Sequence, residues 1–320
     1  MNYLSIDETI FVSIASFRDS QCIDTLKNLY NNSDNPQNIY CGIFTQIDIK
    51  NKNELCYDMN FPYNSNIRRI IIKYEEAKGP LWARVKIIKN LYQNEKYFFM
   101  IDAHTNFKKG WDTNLKKYLN TLKEKGVEKP ILSNYPAPYN NNNTDNSFVL
   151  CNVISGDKYP KVLQAETKDP GYFYQSYFIG ANCIFTYGNF LKEIKINTLA
   201  ENLEYIFGGE EMLLSLLAFV NGWDIYSIPH SIIYHDYKSS DKKIKDKTDW
   251  YTYSNINKQS EIDSYKQLDK ILTSNMLDNK RKVSDFYKKI KYKLHEKDFN
   301  SRFTNSSKNH LCNEMKIIKL

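Results

Sequence analysis

Neither of the glycine-rich signatures that cradle a dinucleotide or a triphosphate occurs in this 320-residue sequence, which argues against a Rossmann dehydrogenase and a P-loop enzyme. No internal repeat is present, so a repeat architecture is set aside. No apolar run approaches the length needed to cross a bilayer, and Met1 to Glu8 carries no basic region with an apolar stretch behind it. The expectation is a cytoplasmic protein without a membrane partner. The six cysteines, at positions 22, 41, 56, 151, 183 and 312, form no C-x-x-C pair and keep no regular spacing. That pattern predicts reduced, mostly buried thiols.

What is present suits a soluble enzyme. Hydrophobic residues make up 42% and charged residues 25%, and 17 Phe with 25 Tyr make the chain aromatic-rich, which rules out disorder throughout. The length allows one large domain, or a domain and a half, with a sizeable core. The net charge of +7 comes from 44 Lys and Arg against 37 Asp and Glu. So mild an excess suits an anionic ligand, or loose attraction to nucleic acid, without demanding either.

Thr9 to Ser16 reads as a strand, the polar Ser16-Phe17-Arg18-Asp19 as a turn, and Cys22 to Tyr30 as a helix. Ile39 to Gln46 and Arg69 to Tyr74 are the next strands. Gly79-Pro80 starts a helix over 80–92 whose stripe is Leu81, Val85, Ile88 and Leu91/Tyr92. Tyr97 to Ile101 is an unbroken apolar run, hence a strand buried on both faces. A helix opens at Gly110-Trp111-Asp112, and a short strand covers Ile131 to Tyr135. This alternation specifies a parallel sheet with helices on its faces. Asn140 to Asn146 reads as a polar loop, and Phe148 to Phe185 as β-like with interruptions. Within it, Gly171 to Tyr177 is an aromatic segment expected in a loop, where it either lines a groove or packs on the sheet. Gly208-Gly209 precedes a helix to Val220 that is apolar nearly all round and so buried. Trp223 to Tyr234 reads as one strand. From Lys238 the composition turns to Lys, Asp and Ser, giving a helical appendage over 238–320 with a frayed tail.

The central strand ends in Asp102-Ala103-His104. Ligands of open α/β sheets bind beyond the carboxyl ends of the strands, and residues two apart on a strand project to one side, so Asp102 and His104 can share a divalent cation. The bland alternative is a turn-capping Asp102 and an ordinary loop histidine. Ser16, Arg18, Gln46, Arg84, Glu210, Glu211 and His235 fall at the same rim. Such a set fits a donor carrying a diphosphate: Asp102, His104 and His235 as ligands of Mg²⁺ or Mn²⁺, Arg18 and Arg84 as contacts to phosphate or base. Alternatives stay open here too. Arg18 can be a structural partner of Asp19 or a nearby carboxylate, and acidic residues in the first turn of a helix are favoured by its dipole whatever their function.

The ordered set Ile10 to Asp19 with Cys22, Gly42 to Gln46, Ala77 to Arg84, Ile101 to His104 with Phe107 and Trp111-Asp112, Ser133 to Pro136, Phe207 to Glu211, Gly222 to Tyr226 with Pro229, and His235 to Tyr237 resembles the cytoplasmic polypeptide N-acetylglucosaminyltransferases that modify hydroxyproline. The resemblance covers about residues 9–237 and nothing past Tyr237. It implies a GT-A type nucleotide-sugar-binding, Rossmann-like mixed sheet flanked by helices over 1–237, with the helical appendage at 238–320. It further implies UDP-GlcNAc as donor, transfer to a protein hydroxyl with retention, and Asp102-Ala103-His104 as a DXD-like motif. Ser16, Arg18, Gln46, Arg84 and Asp102 then bind the donor, Arg84 supports the leaving UDP, and Glu210 or Glu211 orients the acceptor or steadies the oxocarbenium-like centre. Ala103 stands where the family more often has serine, and Phe17 where tyrosine is common. Alternatives are another UDP-sugar, a glycan or small-molecule acceptor, or a basic nucleic-acid-binding protein. The last is disfavoured by the interleaved Lys and Asp of Lys238 to Asp249.

Overall fold

The computed structural model describes residues 8–139, 145–154, 162–237, 255–292 and 311–320. Most of the polar loop expected at Asn140–Asn146, and Lys238 to Asp249, lie outside them.

Two βα steps, and a connection without an α-helix between them, build one half of the sheet. β1 (Ile10–Phe17), α1 (Cys22–Asn31), β2 (Ile39–Ile47), β3 (Ile67–Lys73), α2 (Pro80–Leu91) and β4 (Tyr97–Asp102) follow in order, and β3-β2-β1-β4 lie parallel. The short β5 (Thr105–Phe107) and α3 (Trp111–Glu124) lead to β6 (Pro130–Ser133) and β7 (Ala137–Pro138). Next come β8 (Ser147–Ile154), β9 (Val162–Lys168), β10 (Tyr172–Ser176), β11 (Cys183–Tyr187), α4 (Asn189–Ile194) and α5 (Ile196–Leu199). α6 (Glu210–Val220), β12 (Asp224–Tyr226), β13 (Ile233–His235), α7 (Lys258–Leu272), α8 (Val283–Lys289) and β14 (Ile317–Lys319) complete the chain. The large sheet runs β14-β10-β12-β6-β11-β4-β1-β2-β3. It is mixed because β11 lies antiparallel between β4 and β6.

Alternation along β4 explains its place at the centre. Phe98 and Met100 face a core built with α2 and α6, whereas Tyr97, Phe99 and Ile101 face one built with α1 and α3. All five are at most 2% exposed. A strand buried on both faces needs no polar side, which is why the sequence shows an unbroken apolar run. Gly42 on β2 serves the same packing, since a Cβ there would fall 2.3 Å from Phe11 Cζ.

Four expectations change. The aromatic segment 171–177 is mostly strand: β10 joins the large sheet and Phe173 is fully buried. Trp223 to Tyr234 is two strands in different sheets, β12 beside β6 and β13 between β5 and β7, with Pro229 in the connection. The chain end is not frayed, because β14 pairs antiparallel with β10. Helices α7 and α8, with Ile290 just after the latter, place Leu268, Leu272, Val283, Phe286 and Ile290 in the same core as α6. Finally, the cysteines are not all reduced: Cys22–Cys56 and Cys151–Cys312 are disulfides, and only Cys41 and Cys183 are free and buried. The partners stand 34 and 161 residues apart, so folding and not local spacing brings them together.

Candidate active site

The carboxyl ends of β1, β2 and β4 open on one rim, and β4 delivers Asp102 there. The turn after it is fastened from α1: Thr25 Oγ1 donates to Ala103 O at 2.7 Å and accepts from Thr105 N at 3.0 Å. Thr105 Oγ1 also donates to Asp102 O. Ala103 is only 2% exposed, so the residue replacing the family's more common serine is buried. His235 arrives from β13, whose pairing with β5 sets it opposite Thr105, while Asp236 N donates to His104 O at 3.1 Å. The His104 and His235 rings are 4.5 Å apart, and the Tyr237 ring lies 4.3 Å from His235.

Asp102, His104 and His235 each offer a ligand atom, and these lie within 4.8 Å of one another. His235 Nε2 is 3.0 Å from Asp102 Oδ2, close to the edge length between neighbouring ligands of an octahedral ion bonded at about 2.1 Å. His104 Nδ1 is 2.7 Å from Asp19 Oδ2, and Asp19 is 3% exposed at its side chain. A carboxylate on one ring nitrogen fixes the tautomer and directs the other nitrogen to a metal. Burial pushes the Asp102 carboxyl up, but the His235 hydrogen bond and the Arg84 charge hold it well below the usual carboxylate range. A carboxylate with two imidazoles is a mixed nitrogen and oxygen set that admits Mn²⁺ and other transition ions, and it suits Mg²⁺ less well because that ion prefers oxygen ligands.

Arg84 is 7% exposed and uses both terminal nitrogens on carboxylates: NH2 to Asp102 Oδ1 and NH1 to Glu210 Oε2, each at 2.7 Å. Burial works against its charge, but Glu210 and Asp102 raise its pKa. Glu210 Oε1 is buried without a hydrogen-bond partner among the described residues. Glu211 turns the other way, accepting from Ala181 N at 3.0 Å and from Tyr135 Oη at 2.9 Å. Burial pushes its pKa up to about 7 against those bonds.

Ser16, Arg18 and Gln46 gather at the adjacent ends of β1 and β2. Gln46 Nε2 donates to Ser16 O at 3.4 Å, and the buried Ser16 Oγ has no partner among the described residues. Arg18 sits at φ 52, ion-paired to Asp48 and Glu54 at 3.8 and 3.7 Å and 4.3 Å above the Tyr74 ring. Its carboxylate partners thus include Asp48 and Glu54, while Asp19 serves His104. In the sequence Asp19 stands only as a candidate partner of Arg18, Tyr135 and Tyr237 fall within motifs without a role, and Ala181 falls in none. Nothing in their spacing marks a partner: Asp19 lies 85 residues from His104 and Tyr135 lies 76 from Glu211.

The glycosyltransferase (GlcNAc) family model matches residues 9–61 and 50–317. The chain belongs to that family. The match runs well past Tyr237, where the sequence resemblance stopped, so the C-terminal helices are part of the family's pattern. No curated protein resembles the chain closely enough to match. Among solved structures, Staphylococcus aureus TarS residues 1–349 in complex with UDP-GlcNAc superposes with a TM-score of 0.52 at 10% identity, covering 87% of this chain and 69% of that one. GalNAc-T7 with UDP, GalNAc and Mn²⁺ gives 0.52 at 14% identity, over 72% of this chain and 44% of that one. The chain thus spans under half of GalNAc-T7. Likeness at such identity establishes the fold, a GT-A glycosyltransferase fold, and this family member is a glycosyltransferase.

Proposed function

We propose that this glycosyltransferase moves GlcNAc from UDP-GlcNAc to a protein hydroxyl, hydroxyproline being the acceptor the sequence resemblance favours, with retention of configuration. The observation that carries the reading is the Asp102, His104 and His235 set at the sheet rim, with Asp19 behind His104. The two similar structures hold UDP-GlcNAc in one and UDP, GalNAc and Mn²⁺ in the other, which supports a nucleotide sugar and a divalent ion.

Asp102, His104 and His235 hold the ion, Mn²⁺ or Mg²⁺, which when bound supplies positive charge to the departing diphosphate. Arg84 keeps Asp102 ionised and in place and lends its own charge to the same edge of the site. Ser16, Arg18 and Gln46 bind the nucleoside end of the donor. Glu210, paired with Arg84, or Glu211, held by Tyr135 and Ala181, orients the acceptor hydroxyl or steadies the oxocarbenium-like centre. That hydroxyl attacks on the face the leaving group vacates, which is the route to retention.

The location follows the cysteines. Two disulfides argue for an oxidising compartment, against the cytoplasm expected from the sequence, and no described helix is long and apolar enough to cross a membrane. Nucleic acid and membrane surfaces are not partners in this reading. A competition series across UDP-sugars tests it: UDP-GlcNAc should be consumed in preference. Preferred turnover of another UDP-sugar would replace the donor, and preference for a glycan over a hydroxyproline peptide would replace the acceptor.

A further inference from the structure

The large sheet ends on β3, and the outer edge of that strand is open. β3 pairs with β2 alone, and its backbone meets no other partner among the described residues. Alternation gives the edge two faces. Arg69, Ile71 and Lys73 lie on one; Ile71 is 49% exposed there, and the half-exposed Tyr57 ring lies 5.0 Å from the Arg69 guanidinium. Ile70 and Ile72 lie on the other, at a surface hollow of about 460 Å³ that Phe44, Trp82 and Tyr205 also line.

An open apolar edge is a template for another strand, and the charges on this one decide which. β3 carries three cations and no carboxylate. Arg68 is held by Glu95 at 2.6 Å. Neither Arg69, which donates to Asn64 Oδ1 at 3.0 Å, nor the exposed Lys73 has a carboxylate partner among the described residues. A second copy of the chain would bring the same cations to the edge, and like charges facing each other across strands destabilise a pair.

We infer that β3 is a docking edge for an extended acidic polypeptide that adds to the sheet as a further strand. Opposite Arg69, Ile71 and Lys73 this partner carries acid, apolar and acid side chains, and opposite Ile70 and Ile72 it carries apolar ones that reach the hollow. Along its chain the pattern is an acid, three apolar residues and an acid, the same in either strand direction. Glu75 and Glu76 bound the hollow just past the strand, so the acids of the partner stop at Lys73.

The place of the edge gives the partner a use. Ile72 pairs with Gln46 and Lys73 with Ile47, so β3 ends at the donor rim. The sheet order sets an added strand four spacings from β4, about 19 Å from Asp102 at about 4.8 Å a spacing. An extended chain at about 3.3 Å per residue covers that in about six residues. The partner is thus the protein acceptor, held by a segment about six residues or more from the hydroxyl that is modified. That last identification rests on the transferase reading; the docking edge does not.

The test uses the full chain and a labelled peptide with the core Glu-Val-Ile-Val-Glu, followed by fluorescence anisotropy. The wild type binds it, and methylating the backbone nitrogens of the core weakens binding at least about tenfold, because the strand hydrogen bonds are lost. Lys73→Glu weakens binding on the order of fivefold, and one of the two peptides with a single glutamate changed to lysine recovers it. Joined through about eight residues to a hydroxyproline peptide, the core lowers the acceptor KM about tenfold and leaves kcat unchanged. No binding by the wild type, equal binding of the methylated peptide, or equal affinity in Lys73→Glu overturns the docking edge. A wild-type dimer in sedimentation that the peptide disperses gives the edge to a second copy and overturns it too. Binding without a fall in KM removes the acceptor as the partner. A wild type that binds the peptide as expected but turns over no UDP-sugar defeats the transferase reading and supports the edge.

Discussion

His104 and Asp19 meet through a 2.7 Å, part-buried contact between Nδ1 and Oδ2, at a rim where Asp102 and His235 also converge. Burial alone would lower the His104 pKa, but the Asp19 hydrogen bond and the charges of Asp19, Asp102 and Asp236 outweigh it and raise it. A ring that ligates a metal must be neutral, so the ion competes with that proton.

Asp19→Asn should therefore weaken Mn²⁺ binding by about 10-fold to 100-fold at neutral pH. In the wild type, affinity should start to fall on acidification from above the ordinary histidine pKa, and in Asp19→Asn the fall should begin at lower pH. Calorimetric titration of the UDP-bound protein across pH checks both. Equal affinities would remove Asp19 from the site.

Glu210 and Arg84 form a buried pair that Asp102 extends. Glu210→Gln should lower the unfolding free energy by about 1–3 kcal/mol, read by denaturant titration, because a charge-assisted bond is lost with the arginine still buried. Turnover should fall in Glu210→Gln and in Glu211→Gln alike. Near-normal rates in both would end the catalytic assignment of these glutamates.

Glu211 gives a pH signature of defined sign. Its pKa rises from 4.5 to about 7 because burial disfavours the charged form. Between those values the folded state holds a proton the unfolded state has released, so this contribution to stability is full below about pH 4.5 and is lost as pH rises through about 7. Glu211→Gln should lack that dependence, and its stability relative to wild type should increase by an amount on the order of 3 kcal/mol between pH 5 and 8. Parallel stability profiles for the two proteins would contradict this.

The disulfides should appear as the mass deficit of two bonds in intact protein purified without reductant. Cys312→Ser, which opens the longer loop, should cost about 2–4 kcal/mol of stability. If the oxidised and reduced proteins melt together, these crosslinks do not hold the C-terminal strand.

Much of this fold could be read where one element owes its pattern to its own neighbours. The apolar run 97–101, the Gly79-Pro80 entry to α2 and the buried α6 carry their roles in local periodicity. The splitting of Trp223–Tyr234 is marked locally by Pro229 alone, and nothing in the spacing tells that β12 and β13 join different sheets. The cysteine pairing was hidden for the same reason. At the site, Asp102 and His104 were legible because they are two residues apart at the end of a strand, and His235 because it follows an apolar run. Asp19 and Tyr135 act through partners 85 and 76 residues away, a relation that a single sequence does not encode in its spacing.

The most direct measurement is a titration of the UDP-bound protein with Mn²⁺, followed by electron paramagnetic resonance, for wild type, Asp102→Ala and His235→Ala. One UDP-dependent Mn²⁺ site is expected in the wild type and is lost in both variants. Absence of that site in the wild type, or unchanged Mn²⁺ affinity in both variants, would contradict it.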